Sequence, residues 1–214
     1  MMPYSSDIIV FDLDDTLYKE IDFVKSGFAY IAHSMAIPYI ADELITQWRN
    51  GTNAFQFIID KHNLKISVSE LLDIYRHHIP SISIEHSVAE TLDYLIANNK
   101  ILGIISDGRS ITQRNKIEAL GLYKWIAPDN VIISEEFGSP KPDPRNYQFF
   151  MNKYPYRSYT YIGDNLLKDF ITPNKLSWQT ICIKDNGQNI HSQDLEVENQ
   201  YAPQKTVKFI SEII

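Results

Sequence analysis

The feature that most constrains this chain is the stretch Ile8-Ile9-Val10-Phe11-Asp12-Leu13-Asp14-Asp15-Thr16-Leu17. A short run of β-branched and aromatic residues ends abruptly in carboxylates. An apolar run without alternation reads as a strand of a parallel sheet, covered on both faces. Open α/β sheets bind ligands just beyond the carboxyl ends of their strands. Asp12 and Asp14 therefore fall where a ligand would sit. In extended chain, residues i and i+2 point to the same side. Two carboxylates crowded there repel by roughly 4 kcal/mol at 4 Å and an effective dielectric near 20. A divalent metal and a lysine are the groups that would relieve this. The plainer alternative is a polar turn in which Asp14 or Asp15 caps the next helix.

The chain has 214 residues, enough for one core or a core with a smaller insert. Its 44% hydrophobic and 22% charged residues are those of an ordinary globular protein. A net charge of -7 leaves no electrostatic footprint for nucleic acid or an anionic membrane. The single cysteine, Cys182, excludes an internal disulfide and a cysteine-based zinc site. It lies in the apolar run Thr180-Ile181-Cys182-Ile183 and reads as a buried, inert thiol. Residues 1–7 are polar and lack the basic start of a signal peptide, and no apolar run approaches the roughly 18 residues of a membrane span. A cytoplasmic location is the expectation.

Beyond Leu17 the pattern becomes helical. Phe23, Phe28, Tyr30, Ile31 and Met35 recur at helical spacing, stretches at 41–50 and 54–61 are likewise helical, and Ser67-Val68-Ser69-Glu70 is a capping box before another. Residues 18–85 read as a separate helical lobe without strands. A second capping box, Ser87-Val88-Ala89-Glu90, opens the next helix. Then come a strand at 101–105 ending in Ser106-Asp107-Gly108, a helix at 112–120 stopped by Gly121, and a strand at 131–133. The rigid loop Pro140-Lys141-Pro142-Asp143-Pro144 leads to a helix at 145–153. A strand at 159–162 ends in Gly163-Asp164, followed by a helix at 166–176 with an awkward Pro173 and a fifth strand at 180–183. Residues 186–204 are polar and unpatterned, and 207–214 read as a closing helix. Strands alternating with helices give a parallel α/β sheet with right-handed crossovers, a Rossmann-like core of 1–17 and 86–214.

The strand ends deliver a coherent set of polar groups. The first gives Asp12 and Asp14, the second Ser106, the loop after the third Lys141, and the fourth Asp164 followed by Asn165 and Asp169. Carboxylates with an asparagine make a hard-oxygen site suited to magnesium. Lys141 and Ser106 supply donors suited to a phosphate. Ser106-Asp107-Gly108 can also turn backbone N–H groups toward an anion, aided by the positive end of the helix near Thr112. Singly each is ordinary: a turn serine, a solvated lysine, a surface aspartate. The six histidines are scattered and read as surface or lobe-lining residues, and the 13 tyrosines read as packing.

This set resembles the haloacid dehalogenase-like (HAD) hydrolase superfamily. Asp12-Leu13-Asp14-Asp15-Thr16 matches its first motif, DxDx[TV]; Ser106 at the end of an apolar strand matches its second. Lys141 before Pro142 matches the third, and Gly163-Asp164 with Asp169 the fourth. The helical insert after the first motif resembles the family's α-helical cap subclass, so the lobe at 18–85 is expected to be a cap domain. Ser177 stands where the family often has glycine at the end of the fourth-motif helix.

The resemblance implies a phosphatase acting on a small phosphorylated metabolite, a nucleotide or sugar phosphate. Asp12 would be the nucleophile and form an aspartyl-phosphate; Asp14 would protonate the leaving oxygen and then deprotonate water. Asp12, the main-chain carbonyl of Asp14, and Asp164 would bind Mg²⁺, with Asp169 and Asn165 holding its waters. Ser106 and Lys141 would grip the phosphoryl oxygens, with Thr16, Asp107 and Gly108 around them. Trp48 and Arg49, with Tyr18, Lys19, Phe23 and Gln47, would be the cap positions that read the leaving group. Asp14 separates the chain from family members lacking an aspartate there, such as dehalogenases, and favours phosphomonoester hydrolysis, with phosphomutase action as the nearest alternative. A response-regulator receiver shares a similar kit, but is shorter and carries no insert after its first strand. A catalytically silent HAD-like scaffold is the non-enzyme alternative.

Overall fold

A computed structural model describes residues 7–214; the first six residues of the polar opening stretch lie outside the described residues. Strand β1 (Ile8–Phe11) is followed by four helices, α1 (Glu20–Ser34), α2 (Ile40–Arg49), α3 (Ala54–His62) and α4 (Val68–His77). Then come α5 (His86–Ala97), β2 (Ile101–Ser106), α6 (Ser110–Ala119) and β3 (Val131–Ile133). The chain continues through α7 (Ser134–Phe137), α8 (Pro144–Lys153), β4 (Tyr159–Gly163), α9 (Ile171–Lys175), β5 (Gln179–Ile183) and β6 (Lys205–Val207). A 3₁₀ turn, Ile210–Ile213, closes it.

All strands are parallel, in the order β3-β2-β1-β4-β5-β6. The order reverses at β1, so its carboxyl end lies at the switch point where such sheets bind ligands. The β1 side chains alternate between two apolar layers. Ile9 and Phe11 pack with Leu92, Ile104, Ile117 and Ile162 on one face. Ile8 and Val10 pack with Tyr147, Phe150, Tyr161 and Trp178 on the other. This double burial is why the run shows no alternation in sequence.

The four inserted helices have their own apolar centre, formed by Val24, Phe28, Ile31, Ile40, Leu44, Ile58 and Leu71. Phe23 of α1 instead joins the layer under the sheet, and Tyr75 of α4 packs against both clusters. The capping box at Ser67 and Glu70 forms as read. No helix among the described residues is long and apolar enough to cross a membrane.

Three local readings need correction. The second capping box does not form: α5 starts at His86 with Glu85 at its N-cap, and Glu90 pairs with His86 at 3.1 Å instead. Residues 166–170 are a turn, and helix begins only at Ile171. Pro173 then lies in the first helical turn, where a missing N–H costs nothing. Ser177 takes φ +60°, the left-handed value that glycine reaches freely, so the helix ends as it would with glycine. Finally, the closing helix at 207–214 is replaced by β6, whose Val207 pairs with Ile183 and is buried, and by the 3₁₀ turn.

Gly103 in β2 is a point of close approach. A Cβ there would lie 2.4 Å from Phe150 Cε1 and 3.2 Å from the Asn130 carbonyl oxygen. Overpacking of this kind typically costs about 1–3 kcal/mol. Gly103→Ala should lower stability by about that amount in urea denaturation, with an unchanged slope.

Candidate active site

The chain leaves β1 by an abrupt turn. Asp15 takes the left-handed φ of +56°, which aspartate tolerates better than bulky residues. Its carboxylate accepts from the N–H groups of Glu20 at 3.0 Å and Ile190 at 2.8 Å. The turn is thereby pinned to the start of α1 and to the loop after β5. The Asp12 N–H still donates to the Ile162 carbonyl at 2.8 Å, so this carboxylate is carried on the rigid end of the sheet.

At the centre lies the Lys141 ammonium, 2.7 Å from Asp12 Oδ1 and 2.7 Å from Asp169 Oδ1. All three residues are buried. The loop carrying Lys141 is held by Asp107, whose Oδ1 accepts from the Lys141 N–H at 2.8 Å. The other oxygen of Asp169 accepts from the N–H groups of Asp164 at 3.1 Å and Asn165 at 2.9 Å. Gly163 makes this possible: a Cβ there would lie 2.3 Å from Asp169 Oδ2. Carboxylate oxygens of Asp12, Asp164 and Asp169 lie within 4.8 Å of one another.

This donor set fits a divalent cation. One ammonium faces three buried carboxylates, and all are hard oxygens. Both oxygens of Asp169 are already engaged, so it suits a supporting role, while Asp12 and Asp164 each keep an oxygen without a side-chain partner among the described residues. Burial, only partly offset by Lys141, pushes the Asp12 carboxyl up to about 7. Burial and the negative charge of Asp12 push Asp164 up to about 9.

Asp14 has a different environment. Its Oδ1 accepts from the Tyr18 hydroxyl and from Lys116 Nζ at 2.7 Å, and its Oδ2 accepts from Gln113 Nε2 at 2.8 Å. Burial would raise this carboxyl, but the Lys116 charge and these hydrogen bonds outweigh it and hold it below the usual value. Gln113 Nε2 also donates to Ser106 Oγ at 2.6 Å.

Asp12, Asp14, Asp107, Lys141 and Asp164 all line one open cleft of about 580 Å³, together with Asp15, Glu20, Asn165, Lys168 and His191. Other expected positions lie elsewhere. The Gly108 N–H donates to Ser134 Oγ at 2.9 Å, so it is not offered to an anion. The start of α6 is already held by carboxylates, with the Ser110 N–H on Glu135 at 2.7 Å and the Ser110 hydroxyl on Glu136 at 2.6 Å. Thr16 is buried beside the cleft with no partner for its hydroxyl among the described residues. Trp48 packs against the helical cluster and Arg49 is exposed at the end of α2; neither lines the cleft.

Several groups escaped the reading of the sequence. Gln113 and Lys116 sit on the inward face of α6 with Ile117, which is a core position. A polar residue mid-helix reads as solvated, so no signal in the sequence marks them. Residues 185–193 are not a featureless loop. Asp185 Oδ1 accepts from the N–H groups of Gly187, Gln188 and Asn189. Asn189 then links Lys19, at 2.6 Å, to Asp164 Oδ2, at 3.0 Å.

Residues 9–183 match the family model described as haloacid dehalogenase-like hydrolase. A glyceraldehyde 3-phosphate phosphatase from Methanocaldococcus jannaschii is 27% identical over 192 residues, spanning 82% of this chain and 83% of that protein. A HAD-hydrolase from Bacillus subtilis bound to magnesium is similar in structure, with a TM-score of 0.70 at 16% identity over 97% of this chain and 96% of its own. A HAD phosphatase from Thermococcus onnurineus gives a TM-score of 0.58 at 17% identity, over 97% and 95%. At such identities the two structures speak for the fold.

The raised carboxyls predict how stability depends on pH. Folding pushes the Asp164 carboxyl from its ordinary 3.8 up to about 9, and Asp12 up to about 7. Between those values the folded state holds more protons, so stability falls as pH rises. A cation must displace these protons to bind. The melting temperature of EDTA-treated protein should therefore fall from pH 5 to pH 9, and added Mg²⁺ should raise it more at pH 8 than at pH 6. Asp164→Asn should flatten both effects in a thermal-shift assay.

Proposed function

The chain belongs to the haloacid dehalogenase-like hydrolases, and on that premise we propose that it is a magnesium-dependent phosphatase that cleaves small phosphomonoesters through an aspartyl-phosphate. The observation that carries the reading is the buried Asp12–Lys141–Asp169 chain with Asp164 beside it, at the switch point of the sheet.

Asp12 is the nucleophile: a carboxylate oxygen attacks phosphorus, and the bond from phosphorus to the leaving oxygen breaks. Asp14 gives that oxygen its proton, then takes one from the water that attacks the aspartyl-phosphate and releases inorganic phosphate. Lys141 holds Asp12 in place and faces the phosphoryl oxygens with its charge. Ser106 accepts from Gln113, which leaves its own hydroxyl proton free to donate to a phosphoryl oxygen. Asp12, Asp164 and the main-chain carbonyl of Asp14 would hold Mg²⁺, with Asp169 and Asn165 on its waters. Bound there, it would supply the positive charge that lets a carboxylate approach a phosphate dianion.

Residues 18–85 act as the cap over the core of 1–17 and 86–214. Glu20, in the first turn of α1, is the residue of the four inserted helices that lines the cleft. Among the described residues no Phe, Tyr or Trp side chain lines it, and His191 is the one ring that does. A nucleotide base would have only that imidazole to stack on, so a short sugar phosphate suits this cleft better. The relative acting on glyceraldehyde 3-phosphate makes that compound the first substrate to try.

Turnover of glyceraldehyde 3-phosphate and p-nitrophenyl phosphate should be abolished by EDTA and restored by Mg²⁺; full activity after exhaustive chelation would remove the metal from the scheme. Asp12→Asn should leave no covalent adduct. Asp14→Asn should slow turnover by roughly 10²–10⁴-fold. With p-nitrophenyl phosphate, rapid acid quench and intact-mass measurement of that variant should show one added phosphoryl group, mapping to Asp12. Wild-type rates in either variant would overturn the assignment.

A further inference from the structure

Helix α6 sends a lysine into the interior that none of the steps above employs. Lys116 is 2% exposed. Its ammonium lies 2.7 Å from Asp14 Oδ1, 3.5 Å from Glu20 Oε1 and 4.4 Å from the centre of the Phe23 ring. A buried ammonium is costly unless it is paired and its geometry is good. Here the pairing is with the expected proton carrier on one side and with α1 on the other. Glu20 and Phe23 both belong to α1, the first of the inserted helices, while Lys116 and Asp14 belong to the core.

Both Asp14 oxygens are held: Tyr18 and Lys116 donate to one, Gln113 to the other. Of these three donors, Lys116 alone carries a charge, and it also bears on α1. Tyr18 is joined to Asp14 through the local turn, and Gln113 also donates to the buried Ser106. The ammonium therefore sets where the carboxyl rests relative to the seated cap helix.

We propose that Lys116 is a positioning residue for Asp14, holding its carboxyl within reach of the leaving oxygen and making that placement depend on the seating of α1 through Glu20 and Phe23. The proposal rests on Asp14 being the proton carrier. Its consequence is specific to one part of the reaction. An alkoxide leaving group needs the proton; a nitrophenolate barely does. The attack of water needs Asp14 whatever the substrate.

The test compares wild type with Lys116→Met on glyceraldehyde 3-phosphate and p-nitrophenyl phosphate, reading kcat and kcat/KM separately. In the variant, kcat/KM should fall roughly tenfold or more further for the alkyl ester than for the aryl ester. With the aryl ester, kcat should fall and a burst of about one nitrophenolate per site should appear, as the aspartyl-phosphate waits for its water. Glu20→Gln should move the alkyl-to-aryl ratio in the same direction by a smaller factor. If Lys116→Met does not fold, the Glu20→Gln/Lys116→Met double variant removes the charge together with one of its partners, and the same ratio is read. An equal loss on both esters without a burst would make Lys116 a packing residue and overturn the proposal. An unchanged ratio in Glu20→Gln would overturn the link to α1. A wild-type protein inactive on every phosphomonoester would instead overturn the phosphatase reading itself, and this proposal with it.

Discussion

The structure depends on one buried ammonium. Lys141 sits between Asp12 and Asp169, and each of these makes sense only with the other two present. Removing one member of such a buried network leaves an uncompensated charge, a loss of about 3–5 kcal/mol. The network also reaches across the chain. Asp12 comes from the first strand, Lys141 from the loop before α8, and Asp169 from the turn after the fourth strand. Their meeting requires β1 and β4 to lie side by side, which the reversal of strand order at β1 provides. The site and the topology are thus one constraint seen at two scales.

Backbone geometry follows from that constraint. Asp169 can grip the N–H groups of Asp164 and Asn165 only because Gly163 carries no side chain. Asp15 accepts a left-handed conformation so that its carboxylate can tie the start of α1 to the loop after β5. Two exits from the sheet are in this way fixed by side-chain oxygens. The inserted helices are seated on that junction, with Phe23 of α1 inside the core layer.

What the sequence displays are features that repeat with the period of a strand or end one. Asp12, Ser106, Lys141 and Asp164 could be read because an apolar run stops just before each, or because prolines mark the loop. The four inserted helices could be read from spacing and from the capping box at Ser67. Gln113 and Lys116 could not. They lie mid-helix, where a polar residue is taken as solvated, and only the docking of α6 against Asp14 shows that this face points inward. The segment 185–193 hid for another reason. Its order comes from side chains that cap backbone N–H groups, as Asp185 does, and not from any periodicity. Strand β6 is three residues long, too short for alternation to register, and its place is decided by β5. Trp48 and Arg49 are expected among the cap positions that read the leaving group. In the folded chain the tryptophan serves the packing of the helical cluster.

The charges explain how two aspartates two residues apart come to differ. Their order is inverted for the proposed chemistry: Asp12, the proposed nucleophile, is pushed up to about 7, while Asp14, the proposed proton carrier, is held low. The causes resolve this. Asp12 is raised by burial and by its neighbours Asp169 and Asp14, with only Lys141 against them. A divalent cation between Asp12 and Asp164 would be the largest local charge and would reverse that balance, leaving Asp12 ionised and able to attack. Asp14 is held low mainly by Lys116, a single charge it shares with Glu20, whose own carboxyl burial and the Asp14 charge push up to about 8. A phosphate dianion entering the cleft adds negative charge beside that shared lysine and raises the proton affinity of Asp14. Each arriving ion thus moves one aspartate toward its role. The pair separates because one carboxylate faces the cation site and the other faces a lysine that already serves two acids.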